Sequence, residues 1–148
     1  MKPIYQAVAL AALWLLAAAV SGEARTPAEL TKLFIASYDL MEAGKLDKAQ
    51  EIYQKILRQD PGNPLALNNL AAIKVKQKKY DEALKNLSQA LPRAEGYKVK
   101  VNKVCDVEGV CMAFRPLALE YGDQDLEPLV RLNIDMVKAK MGGTGVRE

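Results

Sequence analysis

Two thiols are the most reactive groups in the chain, Cys105 and Cys111, with five residues between them in "VCDVEGVC". Three chemistries are open to such a pair: a covalent staple, electron exchange, or a share in a metal shell. Electron exchange is favoured by two-residue spacing, a helix amino terminus or a basic neighbour that lowers the thiol pKa, and the segment offers none of these. A tetrahedral zinc site needs four ligands, and the chain has no His and no further Cys. The staple is the expected role, and an accessory part in thiol-disulfide chemistry is the alternative. Missing His also removes the commonest general base. No carboxylate, Lys or Tyr pair stands out by its spacing, so no catalytic residue, no metal and no cofactor is expected.

The element that must position the thiols is a two-stranded turn. Val99 and Val101 alternate with Lys98, Lys100 and Asn102, and Val110, Met112 and Phe114 alternate with Cys111, Ala113 and Arg115. This period of two is that of strands. "VEG", residues 107–109, reads as a three-residue loop with Gly109 in the left-handed position, which sets Cys105 directly opposite Cys111 and makes 98–117 a β-hairpin.

An oxidised pair fits an exported protein, and the amino terminus reads as an export signal. "MKPIYQAVALAALWLLAAAVSGEA" carries Lys2, an apolar run from Ala7 to Val20, and then small residues suited to cleavage. Residues 1–24 are expected to be a signal peptide and the destination the periplasm. The alternative is an anchor in the inner membrane through residues 4–20, since the run approaches the length that spans a bilayer. If the signal is cleaved, no stable membrane insertion remains. Twenty-one Lys and Arg against 18 Asp and Glu give a net charge of +3, too small and mixed to call for nucleic acid. The lysines at 74, 76, 78 and 79, and those at 98, 100 and 103, read as solvated surface.

Between these ends the chain repeats itself. "LDKAQEIYQKIL", residues 46–57, returns as "YDEALKNLSQAL", residues 80–91, thirty-four positions later. Thr26, Pro27 and Glu29 open a first helix that Gly44 ends. Ala49, Ile52, Tyr53, Ile56 and Leu57 stripe a second, stopped by Pro61 and Gly62. Asn63 and Pro64 cap a third, striped by Leu67, Leu70, Ala71 and Val75. A fourth begins near Asp81, buries Ala83, Leu84, Leu87, Ala90 and Leu91, and is expected to end before or at Pro92. After the strands, Asp125 caps a last helix with Leu126, Leu129, Val130, Val137 and Met141 on its apolar side.

The two hairpins resemble tetratricopeptide repeats, helix-turn-helix units of 34 residues. Leu33, Ala36, Ser37, Leu40, Gly44, Leu46, Ala49, Tyr53, Ile56 and Pro61 fall in the family's slots in the first, and Leu67, Leu70, Ala71, Tyr80, Ala83, Leu87 and Ala90 in the second. Lys74, Lys78 and Glu95 depart from the family's aromatic, turn glycine and closing proline. The expected architecture is mainly α: a solenoid of two repeats over 25–97 (30–63 and 64–97), the β-hairpin at 98–117, a capping helix within 118–141, and a mobile tail at 142–148.

The resemblance implies a non-enzymatic scaffold that holds a protein or peptide segment in the groove lined by the first helix of each hairpin. Its residues would be Phe34, Ile35, Tyr38, Met41 and Glu42, then Leu65, Asn68, Asn69, Ala72 and Lys76. Asn69 falls where relatives that clasp an extended peptide place an amide that bonds its backbone. The slots that grip a terminal carboxylate hold Phe34 and Tyr38, so a hydrophobic or amphipathic segment fits better. The alternative is that the chain's own final helix fills the groove.

Overall fold

The computed structural model describes residues 27–99, 101–107, 110–116 and 124–143. The expected signal peptide or anchor, the Thr26 cap, Gly109 and most of the expected tail lie outside them. In chain order the elements are α1 (Pro27–Glu42), α2 (Leu46–Gln59), α3 (Pro64–Lys76), α4 (Tyr80–Ala94), β1 (Lys98–Val99), β2 (Val101–Val107), β3 (Val110–Pro116), β4 (Gln124–Asp125) and α5 (Glu127–Gly143). The described chain is mainly α, with α1 packed on α2 and α3 on α4 as two hairpins, and α3 docked on α2 between them.

The repeat is visible in what each second helix buries. Ala49, Tyr53 and Ile56 of α2 and Ala83, Leu87 and Ala90 of α4 stand thirty-four apart in pairs, and all six are buried. Ala49 and Ala83 have no exposed surface, as positions must where helix axes approach closely. Asn63 Oδ1 accepts the Ala66 N–H at 2.9 Å, so the expected cap of α3 is in place. Sequence spacing gives α3 one apolar stripe, yet every residue from Pro64 to Ile73 is buried. It is the central helix, touched by α2, α4 and β3, and little of its circumference is left to water.

Both hairpin turns use the same device. After α1, Lys45 N–H bonds Leu40 O at 2.8 Å and Gly44 N–H bonds Met41 O at 3.0 Å, with Gly44 at φ +70°. After α3, Lys79 N–H bonds Lys74 O at 2.8 Å and Lys78 N–H bonds Val75 O at 2.9 Å, with Lys78 at φ +58°. These are paired left-handed caps, and the second places a side chain where the first has none. A left-handed residue with a Cβ costs about 1–2 kcal/mol, part of which glycine returns through its freer unfolded chain. Lys78→Gly is therefore expected to stabilise the protein by about 1 kcal/mol, read as a rise of a few degrees in the melting temperature; an unchanged or lower value would contradict the strain.

Two expected boundaries are corrected. α4 runs through Pro92 to Ala94. Proline forfeits one hydrogen bond near the helix end, while Ala94, fully buried, holds the last turn down; the chain then leaves through Gly96 at φ +69°. The strand expected from Lys98 onwards is divided. Lys98 and Val99 pair with Asp125 and Gln124 as a separate clasp, while β2 pairs antiparallel with β3.

In the β2–β3 ladder, Val104 faces Met112 and Val107 faces Val110, with a register shift between them. Val107, expected in the loop, belongs to the ladder. Cys105 and Asp106 together stand opposite Cys111, so the direct Cys105–Cys111 opposition expected from the spacing is replaced by a bulge. The thiol side chains, and residues 108–109 that would join the strands, lie outside the described residues.

Helix α5 docks on α4 as α3 docks on α2, and its sequence says why. "PLALNNLAAIKVK" of α3 returns as "PLVRLNIDMVKAK" in α5, sixty-four residues later and thirty more than the repeat length. Leu129, Val130, Asn133, Ile134 and Val137 are buried like their counterparts Leu65, Ala66, Asn69, Leu70 and Ile73. Arg131, Asp135, Lys138 and Ala139 are exposed where α3 has Leu67, Ala71, Lys74 and Val75. On α3 that face meets α4, and Lys74 Nζ reaches Glu82 at 2.8 Å. Among the described residues α5 has no hairpin partner, and its bared face has become charged, which closes the stack against water.

Candidate functional site

The first helices α1 and α3, joined by α5 in the equivalent position, offer their shared face to strand β3, which packs against all three. The chain supplies this surface with apolar side chains at helical spacing and a row of carboxamides. Phe34, Met41, Leu65 and Ala72 are buried, Ile35 and Tyr38 half-buried, and Lys76 and Glu42 exposed. Asn68 and Asn69 have no exposed surface at all. The expected groove residues recur at helical spacing along α1 and α3, buried or half-buried except for the exposed Glu42 and Lys76.

The final helix docks on α4, the place expected of a capping helix, and does not take the alternative place in the groove; strand β3 packs against the three helices instead. The physical reason is the repeat in α5: a helix carrying the same buried positions as α3 takes the next place in the stack. Val110, which opens β3, is fully buried.

A polar seam runs beneath. Asn133 Nδ2 donates to Asn68 Oδ1 at 2.8 Å, and Asn68 Nδ2 donates to Asn69 Oδ1 at 3.1 Å. Buried amides are tolerated because they satisfy one another; the Asn133–Asn68 bond ties α5 to α3, and the Asn68–Asn69 bond continues the seam within α3. Ser37 Oγ donates to Phe34 O at 2.8 Å. Tyr53 fills the space under Phe34, ring centroids 6.2 Å apart at 43°, a tilted aromatic contact. Burial pushes the Tyr53 phenol up to about 12, opposed by Ser37 and Asn69 beside it. Neither meets good hydrogen-bond geometry with the hydroxyl, which makes no such bond.

The clasp holds the chain on either side of the ladder. Asp125 Oδ1 accepts the Glu127 N–H at 3.1 Å, Oδ2 accepts the Gly96 N–H at 3.2 Å, and Lys98 Nζ stands 3.6 Å away. The two backbone donors, that of Glu127 foremost, and the nearby cation hold the carboxyl below its ordinary range. Asp125 caps α5, as its position before the helix suggests, and also locks β1 to β4.

Sequence reasoning overlooked Asn133, Ile134 and Val110. The signal for the first two was present in the sixty-four-residue echo of α3, which a search at thirty-four residues passes over. Val110 appears in the sequence as one of several alternating valines, and only its seat against the helices sets it apart.

Helical hairpins stacked at a thirty-four-residue period define a helical-repeat fold. A family model described as tetratricopeptide repeat matches residues 40–98. That segment, from the end of α1 to the start of β1, is similar to the tetratricopeptide repeat family, whose repeats generally mediate protein–protein interaction. Comparison with curated proteins and with solved structures gave no significant match.

Proposed function

We propose that the protein is a non-catalytic interaction module of the cell envelope that holds an extended partner segment on the face shared by α1, α3 and α5. One observation carries this reading: the face combines apolar side chains with carboxamides and accepts an extended strand. An amide offers a donor and an acceptor together, which is what a strand backbone presents in return. The chain has no His to supply the usual general base. Its apolar amino-terminal run followed by small residues supports export, and the amino terminus of the purified protein separates cleavage near residue 24 from a retained anchor.

The test is site-specific photo-crosslinking in the native envelope, with the reactive group at Tyr38, at Lys76, and as a control at Lys85, which is exposed on α4. A discrete protein adduct from the first two positions and not from the third is expected. Equal adducts from all three, or from Lys85 alone, would move the site off this face.

For Cys105 and Cys111 the proposal is an inert staple across the bulge. Thiol titration of the unreduced, unfolded protein is expected to find no free thiol, and the staple is expected to contribute about 2 kcal/mol, the value for so short a loop. A pair that mild reductant opens in the folded state would instead support electron exchange.

A further inference from the structure

We propose that strand β3 is the chain's own occupant of the binding face, and that the partner docks by displacing it with an extended, apolar, non-acidic segment of the same kind. This rests on the face being the partner site, as proposed above, and adds how that site is kept closed and what opens it.

Four observations support it. Strand β3 lies across α1, α3 and α5 together, the place an extended ligand would need to span. The floor expected of that face is Phe34, Met41, Leu65 and Ala72, with Asn68 and Asn69 between, none of them charged, and Glu42 and Lys76 stand exposed at its edge. The ladder is additional to the repeat: α5 copies α3 with thirty extra residues interposed, and it reaches α4 and Asn68 by its own contacts. Finally, the excursion leaves and returns through the β1–β4 clasp, where Val99 stands opposite Gln124 and Lys98 opposite Asp125. With the stem fixed by Asp125 and the helices fixed by their own packing, the ladder can lift without unstacking the repeats. The sequence of β3, "VCMAFRP", gives the occupant's chemistry: alternating apolar residues, one cation and no carboxylate.

A strand held on the site by its own chain competes at high effective concentration, so a partner binds with an affinity lowered by the fraction of time the face is free. The test replaces residues 100–123 of the full chain by Asn-Gly, since Val99 and Gln124 are already opposite and a two-residue turn closes them. The probe is a synthetic peptide of residues 110–116, the sequence of β3. The excised chain, its helical circular dichroism retained, is expected to bind the peptide at least ten-fold more tightly than the intact chain. Equal affinity, or no binding by a folded excised chain, would overturn the proposal. Peptide binding by the intact chain that tracks its own dimerisation would also overturn it, by assigning the face to a second copy.

If excision unfolds the helices, hydrogen exchange of the intact chain decides. Amides of β2 and β3 are expected to open at least ten-fold more often than those of α3, and matched protection would make the ladder a permanent part of the core. Crosslinking at Tyr38 and Lys76 reads the partner site independently, so failure of the displacement leaves that result standing and the reverse also holds.

Discussion

Replacing Tyr53 by Ala is expected to cost about 3–5 kcal/mol, the range for emptying a large aromatic site in a packed core. Tyr53 has no exposed surface, sits at the thirty-four-residue counterpart of Leu87, and closes the space beneath Phe34. The phenylalanine variant separates the ring from the hydroxyl. Because the Tyr53 hydroxyl makes no hydrogen bond of good geometry, Tyr53→Phe is expected to change stability by less than about 1 kcal/mol. The two variants differ again in alkali. Burial raises the phenol from 10.0 to about 12, so the folded state keeps the proton that the unfolded state releases. Stability from this group is complete below pH 10 and is lost as pH rises through 12, by about 3 kcal/mol in all. Denaturant unfolding at pH 8 and at pH 11.5 measures it. The Phe variant should lose much less stability over that interval than the parent, with half-buried Tyr97, raised in the same direction by burial, supplying part of the remainder. A parallel decline in the two proteins would mean that Tyr53 does not hold its proton.

The hairpins were legible because their constraints are local and repeated. Ala49 and Ala83, Tyr53 and Leu87, and Gly44 with its strained counterpart Lys78 each satisfy a requirement of one turn or one close approach, and the period of thirty-four makes every such position visible twice. The carboxamide at Asn69 was legible only through the resemblance, since Ile35 stands at its counterpart thirty-four positions earlier. What covers it was not. Strand β3 reaches α1 across more than sixty residues of chain, and no spacing rule specifies which face a two-stranded excursion will lie against. The bulge opposite Cys111 was hidden because a strict alternation of valines predicts a continuous register, whereas the ladder is set by its whole length and by the seat of Val110. Pro92 misled in the opposite sense: a local rule ended α4 too early, and the burial of Ala94 prevailed. The role of α5 as a copy of α3 lay in the sequence but outside the period that defined the repeats.

The seam that joins that copy to the stack carries the other large effect. Asn133→Asp is expected to destabilise the protein by about 3–5 kcal/mol at neutral pH, because it substitutes a carboxylate for an amide that donates to Asn68 Oδ1 at 2.8 Å. The donor is lost, an anion faces a carbonyl oxygen, and the charge has no exposed surface through which to be solvated. The sign of the pH dependence follows from the same placement. Burial beside an acceptor favours the protonated acid, so the folded-state pKa of the new carboxyl rises above its unfolded value. The folded state then binds the proton more tightly, and the defect should shrink as pH falls through that raised pKa, because a carboxylic acid can donate to Asn68 as the amide did. Asn133→Ala supplies the comparison. It removes the donor without adding a charge, should cost about 1–3 kcal/mol for the acceptor left unsatisfied, and should show no recovery in acid. Unfolding curves of the two variants at pH 7 and pH 5 distinguish the cases. If Asn133→Asp is as stable as the parent at neutral pH, α5 does not hold its place through Asn68, and the face shared by the three helices loses its third wall.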